Sequence, residues 1–337
     1  MSLNRRDFLK LMGGTAAAFA FPSVIVQGCK RALEKASQRL PVIWIQGQSC
    51  SGCSVSLLNK IDPGIASVVT EYVSLDFHQT VMAGTGDVAV SVIEEAVEKK
   101  RKDFILVVEG SIPTKSDEYC TIGEVRGRRV GVREWVEKLG ANAKAIVSVG
   151  SCAAFGGIPA ALPRDGSGNP TGAISTAQLL KGKPVVNISG CPPHPDWMVG
   201  TLLYVLLNKG ELPKLDEYNR PLLYYGKTVH EQCERLPDYK HNHFAKHWGD
   251  EGCLYNLGCL GMDSGCDIPK RKWVGTFNSC TNCGGGCIGC TEDVFPDYGN
   301  RGIFQHLNAS REELNKLEHR ETIETILKLR DGGVING

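Results

Sequence analysis

An excess of charge of either sign is missing from this 337-residue chain: 38 Lys and Arg stand against 37 Asp and Glu, a formal net charge of +1. Neither nucleic acid nor a strongly acidic partner is therefore expected. Long hydrophobic runs are scarce as well. One lies near the N-terminus, while residues 301–337 carry charges throughout, with an amphipathic helix expected over Arg311–Leu329 and no tail anchor. No Gly-x-Gly-x-x-Gly or P-loop follows the first apolar strand pattern, so no nucleotide is expected there. Nor does any pairing of acid and base mark out a substrate pocket of the chain's own.

Cysteine is what the chain has in quantity. Its fourteen cysteines exceed ordinary use yet fall well short of the density of small disulfide scaffolds, and at this length a sizeable core and two domains are expected. Eight of them (Cys233, Cys253, Cys259, Cys266, Cys280, Cys283, Cys287 and Cys290) lie between His230 and Cys290. That stretch ends Cys280-Thr-Asn-Cys283-Gly-Gly-Gly-Cys287-Ile-Gly-Cys290, and little in it has helical or strand periodicity. Such a segment cannot bury enough apolar surface to offset the entropy of ordering it. Something covalent or coordinate has to hold it: disulfides, zinc or iron–sulfur clusters.

The N-terminus bears on that choice. Asn4-Arg5-Arg6-Asp7-Phe8-Leu9-Lys10 precedes an apolar run from Leu11 to Val26, broken by Gly13, Gly14 and Pro22. At roughly sixteen residues the run is short for a membrane span and suits the apolar region of a signal peptide. The paired arginines followed by Phe-Leu-Lys fit a twin-arginine export signal, a route that carries folded proteins, often with cofactor in place. Thiolate-bound metal can then be loaded in a reducing cytoplasm and used in the periplasm, which favours metal over disulfides. Val26-Gln-Gly-Cys29 weakly resembles a lipoprotein processing site, which would put a lipid on Cys29 and associate the chain with a membrane. The plainer expectation is an unmodified cysteine lost with the signal.

After a charged linker, Lys30–Arg39, strand patterns recur at Pro41–Gln46, Val68–Leu75, Phe104–Val108, Ala145–Val149 and Pro184–Ile188. Helical patterns alternate with them at Ser54–Asn59, Asp87–Lys102, Val130–Leu139 and Pro195–Leu207. This alternation predicts βαβ units and an α/β fold, a flavodoxin-like doubly wound parallel sheet. The expected domains are 1–39 for signal and linker, 40–215 for the sheet, and 216–337 for a mostly irregular C-terminal domain. Ligands of such sheets sit beyond the carboxyl ends of the strands. Cys50 with Cys53, Cys152, and Cys191 each follow a different strand end, so three loops can deliver four sulfurs to one point. A thioredoxin-like pair would also place Cys50-x-x-Cys53 at a strand-to-helix turn, but needs no cysteines at neighbouring strand ends. Zinc and an iron–sulfur cubane both accept four cysteines, and Gly47, Gly52, Gly150 and Gly190 leave room for the bulkier group. Flavin is disfavoured because cysteines fill that edge. His241, His243 and His247 read as solvated or partner-facing, and His194 as structural.

Several of these motifs carry a family resemblance. They are Ile45-Gln-Gly-Gln-Ser-Cys50-Ser-Gly-Cys53-Ser-Val-Ser-Leu-Leu-Asn59, Val108-Glu-Gly-Ser-Ile-Pro-Thr114, Gly150-Ser-Cys152, Gly190-Cys191-Pro-Pro-His-Pro-Asp-Trp197, His230-x-x-Cys233 and Cys287-Ile-Gly-Cys290. In this order, from about residue 40 to 300, they resemble the small subunit of [NiFe] hydrogenases. The resemblance implies the electron-transferring subunit of a periplasmic [NiFe] or [NiFeSe] uptake hydrogenase. Such a subunit relays electrons between the nickel–iron site of a large partner subunit and an external carrier, cytochrome c or a membrane acceptor, during H2 oxidation or evolution. It implies three iron–sulfur clusters and makes the C-terminal domain an iron–sulfur cluster domain. Cys50, Cys53, Cys152 and Cys191 would hold a proximal [4Fe–4S] cluster; His230, Cys233, Cys253 and Cys259 a distal [4Fe–4S] cluster; and Cys266, Cys287 and Cys290 a medial one. A neutral imidazole in place of a thiolate tends to raise the distal potential.

Many members of that family have a trinuclear medial cluster, with a proline where a fourth ligand would reach. Here the position seven residues before Cys287 is Cys280. A medial [4Fe–4S] cluster is therefore expected, with Cys283 as the alternative fourth ligand and [3Fe–4S] as the alternative outcome. The oxygen-tolerant branch places extra cysteines at positions that are Gly52 and Gly157 here, so an ordinary four-cysteine proximal cluster is expected. Two other readings differ in class. An electron-transfer subunit of a quinone-reductase-type complex shares the proximal-site domain but has nothing like the His230–Cys290 domain. An exported zinc-stabilised binding protein would be colourless where clusters are brown.

Overall fold

The computed structural model describes residues 39–297 apart from 100–101, 162–168, 209, 274 and 276. The twin-arginine segment, Cys29 and the expected C-terminal helix lie outside the described residues. The chain divides into two compact units, one taking the described residues up to Ala160 and Asn169–Leu223, the other those from Tyr224 onward.

In the first unit β1 (Leu40–Gln46) leads into α1 (Gly52–Leu58), and β2 (Val73–His78) into α2 (Gly86–Glu98). After β3 (Ile105–Glu109) come a hairpin of β4 (Thr121–Val125) and β5 (Arg128–Gly131), then α3 (Val132–Asn142) and β6 (Ala145–Val149). The short α4 (Ser151–Phe155), β7 (Val185–Ile188) and α5 (Pro195–Leu207) follow. Five strands form one parallel sheet in the order β2-β1-β3-β6-β7. Counting sheet strands alone this is the flavodoxin order 2-1-3-4-5, with its switch point between β1 and β3.

Residues of β3, β6 and β7 are buried along their whole length. Covered on both faces, such strands have no reason to alternate polar with apolar, and they read as mostly apolar runs, interrupted by Ser148 in β6 and Asn187 in β7. Ile43, Phe77, Ile93, Leu106, Trp135 and Leu139 belong to one core that joins sheet and helices. The Trp135 indole donates to Ile122 O at 2.8 Å and pins the hairpin to α3.

Two departures from the expected pattern have physical causes. The segment expected to be a strand from Val68 winds as a π-helical turn over Val68–Tyr72, and β2 starts only at Val73. Val68 and Tyr72 are buried from that turn, so a short apolar run imitates a strand while packing from a helix. The β4–β5 hairpin went unexpected because its strands are short and largely polar. Its signal is Arg126-Gly127, both at positive φ (51° and 77°), the conformation a two-residue hairpin loop demands.

The second unit is built from single-turn helices, among them Val229–Gln232, Leu236–Lys240 and Ile268–Arg271. One apolar cluster consists of Ala245, Leu254 and Leu257 with Cys259 packed against it, and Tyr224, Tyr225, Val229, Ile268 and Phe295 are buried as well. Polar links add to it: buried Arg271 pairs with Asp267 at 2.6 Å and lies over the Tyr224 ring.

Leu106 lies fully buried in β3, between β1 and β6. Leu106→Ala should destabilise the first unit by about 2–5 kcal/mol, the transfer and cavity cost of a core leucine. Denaturant unfolding checks this, and a loss under about 1 kcal/mol would contradict the packing described.

Candidate metal centres

At the carboxyl edge of the sheet, the loops after β1, β6 and β7 carry four cysteines. Cys53 stands in the first turn of α1, Cys152 in that of α4, and Cys191 follows Gly190. Backbone bonds set the last two loops side by side: Gly150 N donates to Ile188 O (2.9 Å) and Ser151 N to Gly190 O (3.0 Å). The thiols sense one another. Burial pushes Cys53 well above the usual thiol value, and Glu109, Cys152, Cys50 and Cys191 add to it. Cys152 is pushed up to about 11 by burial, with an Ile158 N–H opposing and Cys191, Cys50 and Glu109 adding. Burial and then Cys50 raise Cys191.

Two glycines make room for this convergence. At Gly150 (φ 88°, ψ 153°) a Cβ would stand 2.5 Å from Cys53 Sγ, and at Gly157 (φ 51°) one would stand 2.9 Å from Cys152 Sγ. Gly47 and Gly190, expected to make room for a bound group, instead admit backbone: Ser111 O at the first and Pro193 Cα, 2.7 Å from a Cβ, at the second.

Sequence reasoning passed over Glu109, the fully buried last residue of β3. Ser49 Oγ donates to its Oε1 (2.9 Å), while Trp44 Nε1 (2.9 Å), Gln46 Nε2 (3.2 Å) and Ser54 Oγ (2.5 Å) donate to Oε2. One carboxylate thus ties β1, the Cys50 loop and α1 to β3. Its signal is an acid closing the apolar run Ile-Leu-Val-Val-Glu109, where burial demands that every lone pair find a donor. Ser54 Oγ also meets His78 Nε2 at 3.1 Å; burial lowers the His78 pKa, against the pull of Glu109 and of its own backbone. His194 is structural as expected, capping α5 by accepting from Asp196 N at 3.1 Å.

In the second unit a capping box shapes the turn that carries His230. Glu231 N donates to Thr228 Oγ1 (3.2 Å) and Thr228 N to Glu231 Oε2 (2.7 Å). Cys233 follows as the C-cap of this turn. Cys253 is placed by its N–H to His243 O (2.9 Å) and by Ala245 N to its own carbonyl (3.0 Å). His230, Cys233, Arg235, Cys253, Cys259 and Thr281 line one cavity, and Tyr239 meets the His230 ring edge-on at 4.5 Å. Burial pushes Cys253 up to about 11, with a Tyr255 N–H opposing and Cys259, Cys233 and Asp238 adding. Burial raises Cys259 too, against N–H groups of Cys287 (3.2 Å to the sulfur) and Gly261, with Cys233 and Cys280 adding.

Cys266, Cys287 and Cys290 form the next group. Burial pushes Cys266 and Cys287 well above the usual thiol value; Cys290 and Cys287 act on the first, Cys259 and Cys290 on the second. The Cys280 sulfur is hydrogen-bonded by the Trp273 side chain and has Cys283 and Glu234 as electrostatic neighbours, while its own charge reaches Cys259. His241, His243 and His247 are exposed, with His243 paired to Asp238 (2.9 Å) and His247 to Asp250 (3.4 Å).

Among the described residues no three His, Cys, Asp or Glu side chains are set to hold a single metal ion. Zinc and an iron–sulfur cluster both accept sets of cysteine thiolates. A cluster with its own sulfides spreads its ligands around a larger body, and sets of four sulfurs, or three with an imidazole, suit iron. Gly150 adopts a backbone region that is essentially glycine's alone. Gly150→Ala should therefore cost about 1–3 kcal/mol in strain and displace Cys53. Iron analysis and visible absorbance of the purified protein should show the loss of one centre; full iron with an unchanged spectrum would contradict this.

Two family profiles match the chain. That of the 20 Kd subunit of NADH ubiquinone oxidoreductase spans residues 50–205, and that of the C-terminal part of the NiFe/NiFeSe hydrogenase small subunit spans residues 225–301. The second match falls on the domain that a quinone-reductase-type subunit lacks. The periplasmic [NiFeSe] hydrogenase small subunit of Desulfomicrobium baculatum is 41% identical over 312 residues, 88% of this chain and 97% of its own. The hydrogenase-2 small chain of Escherichia coli K12 is 38% identical over 324 residues, 92% of this chain and 82% of its own. A solved structure of the H2-activated Desulfomicrobium [NiFeSe] hydrogenase superposes with a TM-score of 0.74 at 42% identity, covering 80% of this chain and 99% of that one. With the cysteines brought together as described, these likenesses show that the chain belongs to the small-subunit family of NiFe and NiFeSe hydrogenases.

Proposed function

We propose that this chain holds three iron–sulfur clusters as the electron-transferring small subunit of a periplasmic [NiFe] or [NiFeSe] hydrogenase. H2 is activated on the large subunit with which it pairs, and this chain relays the electrons. The observation that carries the reading is the meeting of Cys50, Cys53, Cys152 and Cys191 from three strand ends, in a chain of this family. They hold the proximal [4Fe–4S] cluster. His230, Cys233, Cys253 and Cys259 hold the distal [4Fe–4S] cluster, and Cys266, Cys287 and Cys290 the medial one, with Cys280 as fourth ligand and Cys283 as its alternative.

When bound, such clusters supply one-electron transfer. The chain's own residues bind, orient and tune. Sulfur ligands accept N–H bonds from Cys287 (to Cys259, 3.2 Å), Gly289 (to Cys287, 3.4 Å) and Arg235 (to Cys233, 3.4 Å). Such donors partly offset negative charge on sulfur and favour the electron-rich state. Export by the Arg5–Arg6 signal and delivery of electrons to cytochrome c or a membrane acceptor complete the proposal. So does the choice between a lipid on Cys29 and its loss with the signal, which the intact mass of the mature chain decides.

Hydrogen:dye oxidoreduction should appear only in the complex co-purified with a large subunit. A comparable specific rate from this chain alone would sink the reading. The medial assignment has its own test, EPR of the oxidised complex. No [3Fe–4S]⁺ signal is expected from undamaged protein, and one should appear on Cys280→Pro, which removes the thiolate able to retain the fourth iron. A strong trinuclear signal before any substitution would overturn the assignment.

A further inference from the structure

The ligand sets given above leave Cys29, Cys120 and Cys283 unused. Cys29 lies outside the described residues, and Cys120 is half-buried just before β4. Cys283 is exposed, three residues after Cys280, which is exposed as well. The turn between them is closely specified. Asn282 N donates to Ser279 Oγ (3.1 Å) and Ser279 N to Asn282 Oδ1 (2.5 Å), a reciprocal pair of the capping-box kind. Ser279 Oγ donates onward to Glu234 Oε1 (2.9 Å), and Cys283 N donates to Ser279 O (3.2 Å), which closes one helical turn. Side chains three apart on such a turn share a face, with Cβ atoms about 5–6 Å apart, and charge on Cys283 acts on Cys280. A disulfide needs about 3.5–4.5 Å between those atoms. The chain just beyond can absorb the difference, because Gly284 stands at φ 87° with open space where a Cβ would be. Cys50-x-x-Cys53 has the same spacing, but both of its thiols belong to one ligand set.

We propose that Cys283 is a resolving thiol for Cys280: exchange with an external disulfide joins the two cysteines, withdraws Cys280 from the medial cluster and releases one iron. The inference rests on the medial ligand assignment given above. Cys283 thiolate attacks an external disulfide, RSSR, forming a mixed disulfide and releasing one RS⁻. Cys280 thiolate, on leaving its iron, attacks the Cys283 sulfur and releases the second RS⁻. Two cysteine thiolates are thus oxidised to one disulfide and RSSR is reduced to two thiolates. The iron departs as Fe²⁺, and no electron passes to or from the cluster. An isolated exposed cysteine stops at the mixed disulfide. Here the second thiol is held within the same turn, at an effective concentration far above that of any external thiol, so the mixed disulfide is resolved. A chain exported to the periplasm meets such oxidants there. The relay then carries a trinuclear medial centre under disulfide stress and a tetranuclear one when its thiols are reduced.

The test uses the complex of this chain with its large subunit, purified under reductant, unmodified and as Cys283→Ser, each treated with oxidised glutathione. In the unmodified complex, peptide masses under non-reducing conditions should show Cys280 joined to Cys283, and iron should fall by about one atom per complex. EPR of the oxidised sample should gain a [3Fe–4S]⁺ signal, which dithiothreitol with ferrous iron should remove. Cys283→Ser should keep its iron and gain that signal at least about tenfold more slowly. Unreacted thiols, or glutathione still attached to Cys283 with no bond to Cys280, would overturn the proposal. So would a signal that grows equally fast in Cys283→Ser, or a Cys280–Cys283 bond formed with the iron content unchanged. Failure of the ligand assignment looks different: the trinuclear signal would then stand in the untreated complex, unmodified or as Cys283→Ser, and the proposal would fall with it.

Discussion

Buried sulfur is the constraint on which the rest of this structure depends. Burial and neighbouring thiols push the ionisation of Cys53, Cys266 and Cys287 up, and a bound metal that takes the place of their protons would let them hold negative charge. The two units meet that constraint differently. The sheet stands on a large apolar core of its own, so its cysteine loops ride on a framework formed without them. The second unit has no sheet among its described residues, and its buried apolar residues, including Tyr224, Tyr225, Val229, Leu254, Leu257, Ile268 and Phe295, come from short turns and loops. Its cysteines give coordination a share in holding it, as in other domains where ligand binding and folding are one event.

The sheet's contribution to its site is positional. Parallel strands end together at one edge, and the switch point opens that edge between β1 and β3. β1 supplies Cys50 and Cys53 through α1, and β3 supplies Glu109, which gathers Trp44, Gln46, Ser49 and Ser54 around one carboxylate. A ligand loop anchored to the neighbouring strand in this way loses most of its freedom before any metal arrives. Gly150 completes the arrangement by keeping a methyl group away from Cys53. Acids act on cysteines of both units, Glu109 on Cys53 and Asp238 on Cys253.

Legibility in the sequence followed physical range. Strands β3, β6 and β7 were legible almost residue by residue, because burial on both faces writes a predominantly apolar run. So was α5, whose start is marked by Pro195 after a capping His194. The turn at Val68–Tyr72 was misread because a run so short is compatible with strand or helix, and packing alone decides between them. Gly47 and Gly190 were rightly noticed as places of close approach, but the approaching group is backbone. Glycine records that space is needed and says nothing of what fills it.

Ligand chemistry is carried by side-chain identity and by spacing along the chain. The sequence by itself therefore determined the fold class, the strand ends that bear Cys50, Cys53, Cys152 and Cys191, and the cysteine-dense C-terminal stretch. The partners of those ligands were decided only by tertiary structure. Glu109 receives donors from residues more than fifty positions away, and Arg235 reaches carbonyls of Gly252 and Thr281. A charge beside a metal centre leaves no periodicity and no motif. Its effect depends on distance through space and on the charges around it, and both exist only once the chain has folded.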